Sequence, residues 1–229
     1  MSAQPAALRI ALRTATILLL FTIAFTALMA WMHQITQPII ATTQQDAKRR
    51  LIAEVLPPAA YDNDLLTDFI DLPPTAALGL DAPTRVYRAR RGGQPVALIL
   101  EAAAPDGYSG RIGLILAVTA DGHLAAVRVT QHKETPGLGD YIDPKKDKNK
   151  ARPWITQFDG RHFDETPRDQ WRVKKDGGAF DQQVGATISA RAVIRATGRA
   201  LAWTLERAAA LYALPSAATF KENNAPPRS

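Results

Sequence analysis

The stretch Asp181 to Val193 reads DQQVGATISARAV, and it puts a hydroxyl where chemistry is possible. Gly185 and Ala186 are small enough for another molecule or backbone to come close, and Thr187 stands where a helix is about to begin. Ser189 is a residue type that caps helices through its side-chain oxygen. Free backbone amides and the positive end of a helix dipole favour a phosphate at such a place. Plain N-capping by Thr187 or Ser189 is the simpler reading of the same residues, and phosphate binding is the alternative.

Two further glycine-containing segments carry candidate site residues. HKETPGLGDYI, from His132 to Ile142, follows a strand pattern and combines Glu134 and Thr135 with a Pro-Gly turn, then Gly137, Leu138 and Gly139. Glycines there allow positive φ and a close approach of backbone amides to a flat ligand or an anion. A tight structural turn explains them as well. GYSGRIG, from Gly107 to Gly113, would set Tyr108 against an aromatic ligand, or would simply be a loop leading into a strand.

The elements that must hold these segments can be read from periodicity. TRVYRAR, then the turn RGGQP, then VALILEAAA, and likewise RIGLILAVTA, DGH and LAAVRVTQHK, predict two antiparallel hairpins. From Ser189 onward Val193, Ile194, Thr197, Leu201, Leu205 and Ala208 recur at helical spacing up to Pro215, with Gly198 as a close-packing position. YDNDLLTDFIDLPPTAALGLDAP reads as an irregular connection, and KENNAPPRS as a disordered tail. Strands followed by a packing helix make the fold class α+β: a mostly antiparallel sheet packed on helices.

Residues 14 to 32 form an uncharged apolar run, TATILLLFTIAFTALMAWM, between Arg13 and His33, long enough for one membrane crossing. A cleaved signal peptide fits poorly, because cleavage after Ala30 or Ala27 would put Leu28 or Phe25 two positions earlier, where small residues are needed. Arg9 and Arg13 place the N-terminus in the cytoplasm and the remainder outside, against the later basic trio Lys48, Arg49 and Arg50. Ile39, Ile40, Ala47, Leu51, Val55 and Leu56 then suggest a helical stalk ending at Pro57-Pro58. The expected organisation is a cytoplasmic segment 1–13, a transmembrane helix 14–32, a stalk 33–58, a folded domain 59–214 and a flexible tail 215–229.

Composition narrows the chemistry. The chain has 229 residues and no cysteine, which excludes disulfides, thiolate metal sites, iron–sulfur ligation and cysteine nucleophiles. The four histidines, His33, His123, His132 and His162, lack metal-type spacing, so no metal site is expected. The formal charge of +6 permits an anionic partner. Its densest basic run, Asp143 to Trp154, mixes in acids and prolines and reads as a solvated loop, not a nucleic-acid surface.

DQQVGAT, Asp181 to Thr187, resembles the Asp-x-x-Ser/Thr-Gly-Ala-Thr signature of domains that carry FMN covalently, and KETPGLGD resembles a second segment of the same domain. With one N-terminal membrane helix, the chain is similar over its whole length to the G subunits of Rnf (Rsx) electron transport complexes. The C subunit of the sodium-pumping NADH:quinone reductase is the alternative within this class, and a cofactor-free membrane-anchored scaffold the alternative outside it. The resemblance implies FMN esterified to Thr187 by a separate flavin transferase, with Gly185 and Ala186 leaving room and Asp181 belonging to the recognition signature. It also implies that Ser189 and nearby amides steady the phosphodiester, and that Glu134, Thr135, Gly137, Leu138, Gly139 and Tyr108 line the flavin pocket. Val184 departs from the signature, standing where a small hydroxyl residue is usual. No residue of the chain itself is then expected to be catalytic. The expected role is a relay in an inner-membrane complex coupling ferredoxin and NAD to ion movement, with other membrane and iron–sulfur subunits as partners and the FMN domain in the periplasm.

Overall fold

The computed structural model describes residues 4–221, apart from the side chains of residues 4–7, 34 and 36–45. It divides into two compact units, residues 1–49 and 50–229. The first consists of helix α1, Gln4–Val55, up to Arg49. Its stretch Leu8–His33 is long and apolar enough to cross a membrane, and none of it is buried within the chain. Thr14, Thr16 and Thr22 return their hydroxyls to the carbonyls four residues earlier, at 3.0, 2.9 and 2.8 Å. Polar groups satisfied within the helix suit a medium without water. The expected stalk positions Ile39 and Ile40 lie outside the described side chains.

The second unit begins inside the predicted stalk. Ile52, Val55 and Leu56 are buried, so the last turn of α1 packs into the domain instead of standing clear of it. Pro57 ends the helix, because proline disfavours helical geometry in the residue before it.

Five antiparallel strands follow in the simple order β1 to β5: β1 Phe69–Leu72, β2 Thr84–Arg91, β3 Gln94–Gly107, β4 Gly110–Thr119 and β5 Leu124–Gln131. The two predicted hairpins are present, and Gly107 and Gly110 pair to make β3–β4 a third, turning through Tyr108 and Ser109. GYSGRIG is therefore the hairpin turn that leads from β3 into β4. The near-continuous apolar runs of β3 and β4 have a cause that their hairpins alone did not reveal: both faces of the sheet are covered. Leu98, Leu100, Leu114 and Leu116 join the core shared with α2, Thr187–Ala213, while Ile99, Ile115 and Ala117 join the one containing Ile52 and Val55. Helix α2 crosses chiefly β3, and Gly198 lets it settle on Trp171, where a Cβ would sit 3.1 Å from the indole.

Two segments are more ordered than their sequence suggests. The supposed connection contains β1, whose Ile70 and Leu72 are buried. Residues 215–220, expected as the start of a flexible tail, run along β1: Asp71 N–H donates to Ala218, Phe220 N–H donates to Asp71, and the Phe220 ring is buried against Trp203 at 5.8 Å. A strand of four residues is too short to show a period, and the 215–220 segment that also pairs with it lies far away in sequence. Residues 222–229 of the predicted tail are outside the described part.

The C-terminal end of α2 is closed by Arg88 of β2, which is buried. Its guanidinium donates to the carbonyls of Leu211 at 3.1 Å and Leu214, and through Nε to Asp68 at 2.7 Å. Arg90 joins the same carboxylate at 2.9 Å. Helix ends leave carbonyls without partners, and a cation there also meets the negative end of the dipole.

Candidate functional site

The other end of α2 is arranged differently. Thr187 is its first residue, and Ala186, in the N-cap position, offers no side-chain bond to the first-turn amides. Ser189 does not cap either, contrary to the reading from sequence: it is the third helical residue, buried, and its hydroxyl donates to Glu134 Oε2. A cap must precede the helix with its oxygen turned back on the first amides, and position 189 is already inside it. Among the described residues the Thr187 hydroxyl has no hydrogen-bond partner, and the side chain is half-buried.

Gly185 leads into this end with φ +88°, a conformation that costs an L side chain about 1–2 kcal/mol. The turn before it is held from outside the motif. Tyr141 Oη accepts from Gln183 N–H and donates to the Ala186 carbonyl, both at 3.3 Å, and burial pushes its pKa up to about 12. Trp154, edge-on to Tyr141 at 5.3 Å, donates from Nε1 to the Asp181 carbonyl at 2.6 Å. Gln157 Oε1 accepts from Asp181 N–H at 2.8 Å. Trp154 closes the basic run, whose one buried acid, Asp147, accepts from Asn149 N–H at 2.9 Å and Trp154 N–H at 2.6 Å. The run is a solvated loop as expected, but a loop anchored so that its final residue grips the motif. Neither Tyr141 nor Trp154 was singled out from sequence, because aromatic residues in loops carry no spacing signal of their own.

Beside Thr187 lies a pocket of about 110 Å³ lined by Tyr108, Glu134, Thr135, Leu138, Gly139, Gly185, Ala186, Ile188 and Ser189. It draws on the β3–β4 turn, the segment after β5 and the first turn of α2, regions remote in sequence. Leu138 and Gly139 N–H groups both return to the Thr135 carbonyl, at 3.1 and 3.0 Å, and Gly137 takes φ +74° with its N–H on Asp140 Oδ1. Tyr108, Leu138 and Ile188 leave apolar surface open around the mouth, and Val184, next to the lining Gly185, is 97 % exposed. Ligand pockets commonly run from about 300 to 1,000 Å³, so a flat ring would lie against this one and not be engulfed.

Most predicted site residues thus meet. Gly137 sits in the turn behind the lining, and Asp181 is elsewhere. It faces a separate polar cleft with Trp154, Gln157 and Gln183, and pairs with Lys174 at 2.7 Å across exposed surface.

A helix terminus without a side-chain cap, whose hydroxyl has no partner among the described residues, beside a half-open apolar pocket has the donors a phosphate needs and the surface a flat aromatic ring needs. The fold and site define a membrane-anchored protein with an FMN-binding domain, since a family model described as FMN-binding domain matches residues 107–202 and another, described as RnfG N-terminal region, matches residues 1–55. Proteins named as the G subunit of an ion-translocating oxidoreductase complex are similar along most of the chain. One from Pseudomonas aeruginosa (strain UCBPP-PA14) is 48 % identical over 190 residues, 83 % of this chain and 86 % of its own length. One from Shewanella loihica is 41 % identical over 191 residues, covering 83 % and 88 %, and one from Yersinia pestis 41 % over 199, covering 87 % and 92 %. The chain belongs to the family of G subunits of ion-translocating oxidoreductase complexes.

Proposed function

We propose that this chain is an electron-relaying subunit that carries FMN as a phosphoester on Thr187, within a membrane complex that exchanges electrons between ferredoxin and NAD and moves ions. The observation that carries the attachment is the open end of α2: among the described residues Thr187 has no partner for its hydroxyl, and no side chain caps the amides behind it. Thr187 Oγ forms the bond to the flavin-side phosphorus of FAD as the pyrophosphate bond breaks, AMP leaves, and the hydroxyl proton passes to a base of the flavin transferase. The phosphodiester keeps one negative charge, and the first-turn amides of α2 favour it there. Bound FMN supplies acceptance and release of one or two electrons. The chain's part is to hold the ring: Leu138 and Ile188 offer apolar surface, Tyr108 an aromatic face, and Gly139 and Gly185 close backbone approach. Other subunits of the complex, iron–sulfur proteins among them, are the partners this role requires.

The test is the full chain co-expressed with the transferase and run on a denaturing gel under ultraviolet light. A fluorescent band lost in Thr187→Ala is expected; a band that persists in that variant, or none in the wild type, overturns the attachment. For orientation, we propose an inner-membrane anchor with the N-terminus in the cytoplasm and the FMN domain in the periplasm, supported by Arg9 and Arg13 before the span. The chain has no cysteine, so a single cysteine introduced at an exposed position reports its side cleanly. Protection of that cysteine from an impermeant thiol reagent in intact spheroplasts would reverse the orientation.

A further inference from the structure

Glu134 is 3 % exposed, yet it lines the pocket, and both of its oxygens are spoken for. Oε1 accepts from Ser109 N–H at 3.0 Å, on the turn that carries Tyr108. Oε2 accepts from Ser189 Oγ, in the first turn of α2 beyond Thr187. The residue therefore lines the pocket with both carboxylate oxygens already hydrogen-bonded within the chain. It ties together two walls of the pocket, alongside the Arg195–Asp106 ion pair that also joins α2 to the end of β3. The packing around it is as tight as backbone allows: a Cβ on Gly107 would come 2.9 Å from Oε1, and one on Gly139 3.0 Å from Oε2 and 2.9 Å from Ser189 Oγ. Gly139 thus leaves space for this carboxylate on the Leu138 wall, whereas on the Tyr108 wall Gly107 is required first by its own hairpin, where a Cβ would run into the Gly110 carbonyl oxygen.

We propose that Glu134 is the positioning residue of the flavin site, clamping the Tyr108 turn to the first turn of α2 and fixing a negative charge beside the ring. The inference rests on the flavin reading above. Ser109 N–H can only donate, and Ser189 donates to the second oxygen, so the carboxylate acts as acceptor at both. A fixed negative charge in a poorly solvated wall opposes the arrival of electrons next to it and holds the flavin potential down.

Glu134→Gln keeps the clamp and removes the charge. Its oxygen still accepts from Ser109 N–H, and its amide donates to Ser189 Oγ, which as a hydroxyl can accept as well as donate. Glu134→Ala removes both. Three measurements on the full chain separate these effects: hydrogen exchange at the Ser109 amide without flavin, the fluorescent label after co-expression with the transferase, and the midpoint potential of the labelled protein. The alanine variant should exchange at Ser109 at least tenfold faster and take up less label. The glutamine variant should match the wild type in exchange and label but show a higher potential. An alanine variant with wild-type exchange at Ser109, or a glutamine variant with unchanged potential, overturns the proposal. If the wild type takes no label, the flavin reading falls by itself, while the exchange at Ser109 still decides whether Glu134 is the clamp.

Discussion

The two ends of α2 are finished in opposite ways. At the C-terminus a buried arginine from β2 collects the last carbonyls and is held by Asp68, and residues 215–220 continue into a pairing with β1. At the N-terminus alanine takes the capping position, Ser189 is turned toward Glu134, and the Thr187 hydroxyl has no partner among the described residues. Alanine in place of serine, threonine or aspartate at an N-cap costs about 0.5–2 kcal/mol. A fold that closes one end so thoroughly and leaves the other unfinished beside a pocket has put its unused donors where a ligand's phosphate can take them. The difference between the ends supports the proposed site alongside the pocket and the motif.

The comparison can be broken in four places. The largest effect is expected at the open end, where Thr187→Ala should remove the covalent fluorescence entirely and leave the thermal midpoint of the unlabelled chain unchanged. A matching fall in the midpoint would make Thr187 part of the structure and not an open group. At the closed end, Arg88→Ala leaves Asp68 and the helix carbonyls without their cation, and should cost about 3–5 kcal/mol in chemical denaturation. The label per folded molecule should stay the same; a loss beyond the unfolded fraction would mean that the two ends are coupled. Gly185→Ala meets only ordinary contact with Leu138 Cδ1 at 3.5 Å, so its penalty comes from φ alone, about 1–2 kcal/mol, and should appear as lower labelling. An unaffected label would show that the turn relaxes freely.

The smallest effect is at Tyr141. Tyr141→Phe gives up two long hydrogen bonds, about 1 kcal/mol. Burial raises its pKa to about 12, against about 10 in the unfolded chain. Between those values the unfolded state binds fewer protons than the native one, so stability present below about pH 10 is lost as pH rises toward 12. Denaturation curves across that range should slope less steeply in the phenylalanine variant. Part of the slope should remain, because burial likewise raises Tyr212 to about 12. An identical slope would remove Tyr141 from that account.

How far the sequence could be read follows the range of the interactions. The membrane-length helix, strands β2 to β5 and the body of α2 were legible because period and length are local. The signature around Thr187 and the segment from Glu134 to Gly139 were legible because resemblance preserves short strings. β1 was not, since four residues carry no period. The order of residues 215–220 was not, since Phe220 is held by a strand and a tryptophan that sequence does not place near it. Ser189 was misread for the same reason: a hydroxyl at the start of a helix suggests a cap until a carboxylate from another segment claims it. Asp181 belongs to the signature, yet the turn carries it away from the pocket.

Sequence by itself determined which segments become helix and strand, where the apolar span lies, and which threonine stands behind Gly-Ala. Tertiary structure decided which polar groups are used up. Tyr141 reaches Ala186 across 45 residues, Ser189 reaches Glu134 across 55, and Arg88 reaches Leu211 across 123. Local spacing fixes backbone conformation, but a donor is spent or left open only when the chain has brought its partner to it.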